Sequence, residues 1–479
     1  MLFRRQVEQV IEQQRSRKGK SGVSHRTLEW WDLSLIGVGA VIGAGFFLGT
    51  ALSIQRAGLS ILLAYIIGGL ISFKVFSSLA EMSTRDPQEG SFRVYARKAF
   101  GPQMGFTSGW MYWLAGVLIM SAEVTALAIF SQFWFPTVPL WVFAASYSAL
   151  ALAINLLGVR DFGKIESLFG LVKISALLIF IIFGLLMSFG LISLVRPAAS
   201  DLTDAAQWLP NGLSGLWSAL IFVLFSYGGI EVMGILSYEL KQYKDIGKSG
   251  RFMLSSLTSV YALALLFIFV MIPGHAVSTA ESPFVTALST FGFGFADSLL
   301  NIIIISAAFS TMVGALFAVT NVLVSLADDL DAPLLMAWKN QRGVPVPALS
   351  LTTLGLLFAI VMSFLLPNTV YEYLATAAGV MLILNWIVIL LSNLRLAPGY
   401  RSRHTGITMN RNQRGLLSYL AIGMIIVTIA GATINLSERI GVLFSLSMAA
   451  LIFISGKIKA LSEQPGALLP DRKPHPDPD

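Results

Sequence analysis

Cysteine is absent from all 479 residues, which excludes disulfides, thiolate metal sites and a cysteine nucleophile. Charge is scarce. Asp, Glu, Lys and Arg make up 12% of the chain, about half the usual share of a soluble domain, so a water-soluble fold is excluded. Histidine occurs only as His25, His275, His404 and His475, each outside the long apolar runs, so a histidine proton relay within the membrane is not expected. No GxxxxGK[ST] loop is present, which removes an ATP-hydrolysing pump. No nucleophile–base pair or metal-ligand set can be assembled either. An enzyme is therefore not expected, and neither a cofactor nor a metal is called for. The basic N-terminus lacks the short apolar core and small-residue cleavage site of a signal peptide.

What fills the chain instead is apolar sequence, 55% of the residues, in runs long enough to span a bilayer. Twelve spans are expected, near 31–54, 59–82, 104–132, 139–158, 163–192, 214–238, 251–273, 297–324, 346–366, 370–394, 415–434 and 439–456. They are numbered 1 to 12 below. The runs are too long and too uniformly apolar for barrel strands, so each is a helix with its backbone bonded internally. Of the 33 Lys and Arg residues, 28 fall on one side of this layout and only Arg56, Arg196 and Arg439 on the other; Lys74 and Lys173 lie within spans. Both termini are thus expected at the cytoplasmic face of the cell membrane. The net charge of +7 then belongs to a surface facing anionic lipid, and no nucleic-acid partner is needed.

Span 1 contains "GVGAVIGAGFFLGT", residues 37–50, with five glycines. Glycine weakens a helix interior by about 1 kcal/mol relative to alanine. One reading is close helix packing, since two GxxxG frames occur, Gly39 to Gly43 and Gly45 to Gly49. The other is a broken helix whose freed N–H groups face an anionic ligand. A nucleotide loop fails, because no strand precedes it and its phosphate would lie in lipid. The broken-helix reading predicts a second interruption at the matching place in the other half. Span 6 carries it, as "SYGGIE", Ser226 to Glu231. Freed N–H groups at the first break suit a carboxylate, and freed carbonyls at the second suit an ammonium. Together they describe an α-amino acid zwitterion.

At these residues the chain resembles the amino acid permeases of the amino acid–polyamine–organocation superfamily. The likeness runs through "LAEMSTRDPQEGSFRVYARKAFGPQMGFTSGWMYW", "AEVTALAIFSQFWFPTVPLW", "IESLFGLVKISALL", "FSYGGIEVMGILSYEL" and "SLADDLDAPLL…NQRGVPVPAL", in order, from about residue 27 to residue 395. The third-span stretch is most similar to the amino acid:proton symporter branch. The resemblance implies an all-α fold of twelve membrane helices, with the five-plus-five inverted repeat of the leucine transporter and breaks in helices 1 and 6. On this layout residues 1–28 are expected to form a cytoplasmic tail, 29–198 and 199–395 the two repeats, 396–458 the last two spans and 459–479 a second cytoplasmic tail.

By position, the resemblance places the substrate carboxylate at Val41, Ile42, Gly43, Ala44 and Gly45, and the ammonium at Phe225, Ser226, Tyr227 and Gly228. Phe225 stands where the family often has an aromatic that closes over substrate. Ala44 departs from the family's Ser or Thr, leaving recognition there to backbone N–H groups. Lys173 matches a family lysine whose ammonium, near spans 1 and 8, would replace the cation of sodium-coupled relatives; the plainer reading is a permanently paired lysine. Ser310 in span 8 is its candidate neighbour. Glu231 would hold or gate the second break, or carry a proton. Glu123 would join a proton path, or pack as a hydrogen-bonded neutral group. Lys74 has no family counterpart and is expected to reach toward the headgroups. Asp328, Asp329 and Asp331 are expected to form a solvated loop cap rather than a metal site.

The function expected from this is transport of a free amino acid by alternating access, with proton-coupled uptake first. An exchanger, or a non-transporting sensor on the same scaffold, is the alternative. With no pocket acid left over for a cationic side chain, the cargo reads as neutral. The working unit is a monomer or a homodimer.

Overall fold

The computed structural model describes residues 28–88, 90–158, 162–189, 205–290, 295–366, 369–396 and 411–462. The expected N-terminal tail up to residue 27, the loops 190–204 and 397–410 and the tail from residue 463 lie outside these. Among the described residues the fold is all-helical apart from one isolated parallel bridge, Leu28 with Leu240.

Each expected span falls on a helix, and among the described residues ten helical stretches are long and apolar enough to cross a bilayer by themselves. One of these, Ala44–Arg85, joins the second part of span 1 to span 2 through a tight turn at Gly58–Ser60. Gly58 takes a positive φ of 58° there, and a β-carbon on it would lie 2.4 Å from the carbonyl of Gln207. The first part of span 1, Trp30–Val41, and span 11, with apolar part Gly415–Gly431, are shorter apolar helices.

Hydropathy left out several short elements. The helix Ser91–Phe100 precedes span 3 and carries Arg93, Arg97 and Lys98, which hide it from an apolar search. Span 7 begins earlier than expected, at Ile246, because its first turns hold Lys248 and Arg251. A further helix, Pro283–Ser289, lies between spans 7 and 8, opened by proline in its first turn.

Span 3, Pro102–Gln132, is the most buried of the spanning helices and packs along span 8, Ala296–Asp328, and span 10, Val370–Leu396. Exposed apolar side chains concentrate elsewhere: Leu168 and Ile179 on span 5, Phe358 and Phe364 on span 9, and Leu443 and Leu451 on span 12. A surface this apolar faces lipid.

Both expected interruptions are present. Span 1 is helical over Trp30–Val41 and again from Ala44, with Ile42 and Gly43 extended between them. Span 6 is helical over Gly212–Phe225 and Ile230–Leu236. The second break therefore covers residues 226–229, one residue further along than the expected 225–228. It runs on to Gly229, whose φ of 107° ordinary side chains rarely adopt. A β-carbon on Gly229 would also lie 2.6 Å from the Ala40 carbonyl, so the two breaks touch backbone to backbone. The start of span 1 is fastened to the end of span 6 as well. Leu28 N–H donates to the Glu239 carbonyl (3.2 Å), and Lys241 N–H to the Leu28 carbonyl (3.0 Å).

Candidate functional site

A broken helix in lipid must find partners for the backbone groups it frees. At span 1 each partner comes from a different helix. Lys173 of span 5 donates to the Gly39 carbonyl (2.6 Å), and Thr311 of span 8 to that of Ile42 (3.0 Å). Tyr371 of span 10 donates to the carbonyl of Ala44 (2.9 Å), and Ser226, in the span 6 break, to that of Gly45 (2.7 Å). The freed amide of Ala44 donates to Glu123 of span 3, whose two oxygens are each 3.0 Å away.

The Ala44 amide, expected to receive a substrate carboxylate, carries an internal carboxylate in this structure. Gly43 makes room for it, since a β-carbon there would lie 2.4 Å from Glu123 Oε1. The absence of a hydroxyl at Ala44 thus goes with a carboxylate supplied by the protein.

The second break is held in the same manner. Glu231 is fully buried, accepts from the Gly229 amide (3.1 Å) and accepts from the indole Nε1 of the buried Trp386. The Ser226 carbonyl receives a long bond from the Tyr261 hydroxyl (3.4 Å), and the Tyr227 hydroxyl turns away to the Tyr65 carbonyl (2.9 Å).

Between the breaks lies a cavity lined by Ala40, Val41 and Gly45, by Phe225, Gly228 and Gly229, by Tyr112, Ile119 and Glu123, and by Glu166, Glu231 and Thr311. Most of these residues precede the midpoint of spans that begin on the side where span 1 begins, or follow it in spans that end there. The cavity therefore occupies that half of the bundle, called here the inner half.

The outer half is packed shut. Phe46 stacks on Tyr261 with ring centroids 3.7 Å apart, and Phe284 and Tyr65 close around it at 5.2 and 5.7 Å. Above them Arg56 of span 1 pairs with Glu372 of span 10 (2.8 Å) and with the buried Glu438 of span 12 (3.2 Å).

Comparison with known proteins places this arrangement. The family described as "Amino acid permease" matches residues 32–460. The chain belongs to the amino acid permease family. It is 38% identical over 427 residues to the uncharacterized transporter YcgH of Bacillus subtilis, covering 89% of this chain and 93% of that one. It is 33% identical over 384 residues to the aromatic amino acid transport protein AroP of Escherichia coli K12, covering 80% and 83%. Among solved structures, MhsT in complex with L-phenylalanine superposes with a TM-score of 0.56 at 15% identity, over 85% of this chain and all of that one. The manganese transporter of Eremococcus coleocola gives 0.58 at 13%, over 90% and 93%. At such identities the structures share the fold: the leucine-transporter arrangement with broken first and sixth helices.

Within this permease the remaining expected residues separate. Lys173 meets the span 1 break as expected, but its span 8 partner is Thr311 (2.8 Å) and not Ser310. Ser310 Oγ is buried one residue away with no hydrogen-bond partner. A helix turns about 100° per residue, so neighbours in sequence face different sides. Lys74 is half-buried and donates to Ser78 Oγ (3.2 Å), one turn nearer the end of span 2. The acidic cluster is not simply solvated. Asp331 is buried and holds Lys459 (2.5 Å) and Arg93 (3.4 Å), while Asp329 holds Arg93 (2.6 Å). Sequence reasoning missed Glu166, Trp386 and the Arg56 cluster. For Arg56 a signal existed, as one of only three basic residues on its side.

Proposed function

We propose that this permease is a secondary active transporter carrying a neutral amino acid across the cell membrane by alternating access, coupled to protons and running inward. The observation that carries this reading is the carboxylate of Glu123 seated on the Ala44 amide. It is a carboxylate bound at the point where the family resemblance puts the substrate's own. A substrate arriving there exchanges its carboxylate for that of Glu123, which is displaced and takes up a proton. Proton and substrate entry are then one event.

The charge inventory supports a neutral cargo. Three carboxylates line the cavity, and each faces a donor of the protein: Glu123 the Ala44 amide, Glu231 Trp386 and Gly229, Glu166 the Lys173 ammonium. None is left over for a cationic side chain. The name of the AroP relative, an aromatic amino acid transporter, is consistent with this. The packed outer half and the inner-half cavity correspond to an inward-facing stage of the cycle. The 28 basic residues counted on one side support cytoplasmic termini and make the inner half the cytoplasmic one.

A second reading, obligate exchange, is favoured by the hydrogen bonds that Lys173 makes to Gly39 and Thr311, which need no change of protonation. Reconstituted vesicles separate the readings. Labelled amino acids are offered under an inward proton gradient, a sodium gradient or preloaded counter-substrate. Accumulation driven by protons is expected, and flux only against counter-substrate would establish exchange. Stimulation by sodium alone would overturn the part given to Lys173, and saturable binding without any flux would make the protein a sensor.

A further inference from the structure

The third carboxylate of the cavity belongs to span 5, Phe162–Ser188. Glu166 precedes Lys173 by seven residues, two helical turns or about 10 Å, which puts both on one face. Helix side chains lean toward the N-terminus, so the Lys173 chain reaches back along the face on which Glu166 stands.

An ammonium has three protons to donate. Lys173 gives two of them to Gly39 O and Thr311 Oγ1, at 2.6 and 2.8 Å. The third faces Glu166 Oε1 at 3.7 Å, paired by charge but beyond hydrogen-bond reach. Glu166 is 2% exposed, and its Oε1 has no hydrogen-bond partner. A buried carboxylate oxygen left in this condition costs free energy that a small shift of the lysine would recover. The socket is built for that approach. A β-carbon on Gly39 would lie 2.7 Å from Glu166 Oε1, and one on Gly170 would lie 2.5 Å from the Leu35 carbonyl, so spans 1 and 5 are in contact at this point.

Lys173 and Glu123 thus hold the same break, at Gly39 and at Ala44, and Lys173 faces the second cavity carboxylate, Glu166, on the inner side. We propose that Glu166 is a positioning residue and proton outlet for Lys173, receiving on the inner side the proton that enters with substrate. The steps balance. The ammonium of Lys173 first gives a proton to the Glu166 carboxylate, and the amine left behind takes up the proton of Glu123. Protonated Glu166 then releases its proton to water in the cavity. Lysine and both carboxylates end as they began, with one proton moved inward. The other titratable groups of this cavity are Tyr112 of span 3 and Glu231 of span 6, and its lining from spans 1 and 8 is uncharged. Span 7, also packed on span 5, carries Lys248 and Arg251 in its first turns, with Lys248 over the Trp30 ring (3.8 Å). The assignment rests on the proton-coupled reading above.

Wild type, Glu166→Gln and Glu166→Asp are compared in reconstituted vesicles by two measurements on the same preparation. One is accumulation under an inward proton gradient. The other is counterflow of labelled against unlabelled substrate at equal pH, in which the carrier returns loaded and need not release its proton. E166Q is expected to lose gradient-driven accumulation by roughly a hundredfold, the scale of a removed acid–base group, while counterflow stays near the wild-type rate. E166D is expected to recover most of the accumulation. E166Q that accumulates like wild type overturns the proposal, and so does a parallel fall in both measurements, which marks a packing role. A wild-type protein that ignores the gradient yet sustains counterflow removes the coupling reading itself, and the outlet with it.

Discussion

Glu123 holds the amide of Ala44 with both of its carboxylate oxygens, each at 3.0 Å. Any substrate using that amide meets a carboxylate already in place. Glu123→Gln weakens the internal competitor by removing a charge-assisted bond worth about 1.5–3 kcal/mol. Substrate is then expected to bind about tenfold more tightly, while net uptake falls. Equilibrium binding of labelled substrate to the purified protein checks this, and a weaker affinity in E123Q would count against competition.

The five glycines of span 1 are not equivalent. At Gly43 a β-carbon would meet Glu123 Oε1 at 2.4 Å, whereas at Gly49 the nearest atom is Tyr371 Oη at an ordinary 3.4 Å. Gly43→Ala is expected to reduce uptake at least about tenfold, the effect of roughly 1.4 kcal/mol, and Gly49→Ala to leave it near wild type. Both variants should elute as folded protein. Equal damage from the two would return the stretch to general helix packing.

In span 8 the two neighbouring hydroxyls are expected to behave oppositely. Thr311 bonds to Lys173 and to the Ile42 carbonyl, and Ser310 Oγ to nothing. Thr311→Val removes a hydrogen bond to a charged group, about 1.5–3 kcal/mol, and should cut uptake about tenfold or more. Ser310→Ala should transport normally. Initial uptake rates normalised to protein in the vesicles decide the matter.

Arg56 meets both Glu372 and Glu438 at the outer end of the packed half, and these pairs are expected to help keep it closed. Because the chain has no native cysteine, a single introduced thiol reports alone. Ser53→Cys, at a buried position of span 1, should react slowly with a membrane-impermeant maleimide added outside. Adding Arg56→Gln should speed that reaction severalfold. An unchanged rate would show that the aromatic layer around Phe46 is sufficient to keep the outside closed.

Much of this was legible in the sequence, for definite physical reasons. Bilayer thickness imposes long apolar runs, and glycine inside such a run signals either contact or interruption. "GVGAVIGAGFFLGT" and "SYGGIE" therefore located both breaks. Partners that lie far apart along the chain were not legible. Nothing local links Glu123 to Ala44, Trp386 to Glu231 or Glu438 to Arg56, because the pairing is made by the packing of distant helices. Whether Ser310 or Thr311 meets Lys173 depends on the rotation of span 8, which an apolar run does not specify. The burial of Asp331 is likewise invisible locally, since neither Arg93 nor Lys459 lies near it in sequence.

The clasp between the start of span 1 and the end of span 6 has a genetic consequence. Its two bonds run from the Leu28 amide to Glu239 and from the Lys241 amide to Leu28, main chain to main chain. Exchanging side chains at these positions leaves both donors intact, so an alanine scan would pass over the clasp in silence. Only proline, which has no N–H to give, erases a bond there. The tether between the two broken helices is thus carried by main chain alone, and it survives any exchange of side chains that leaves both amides in place.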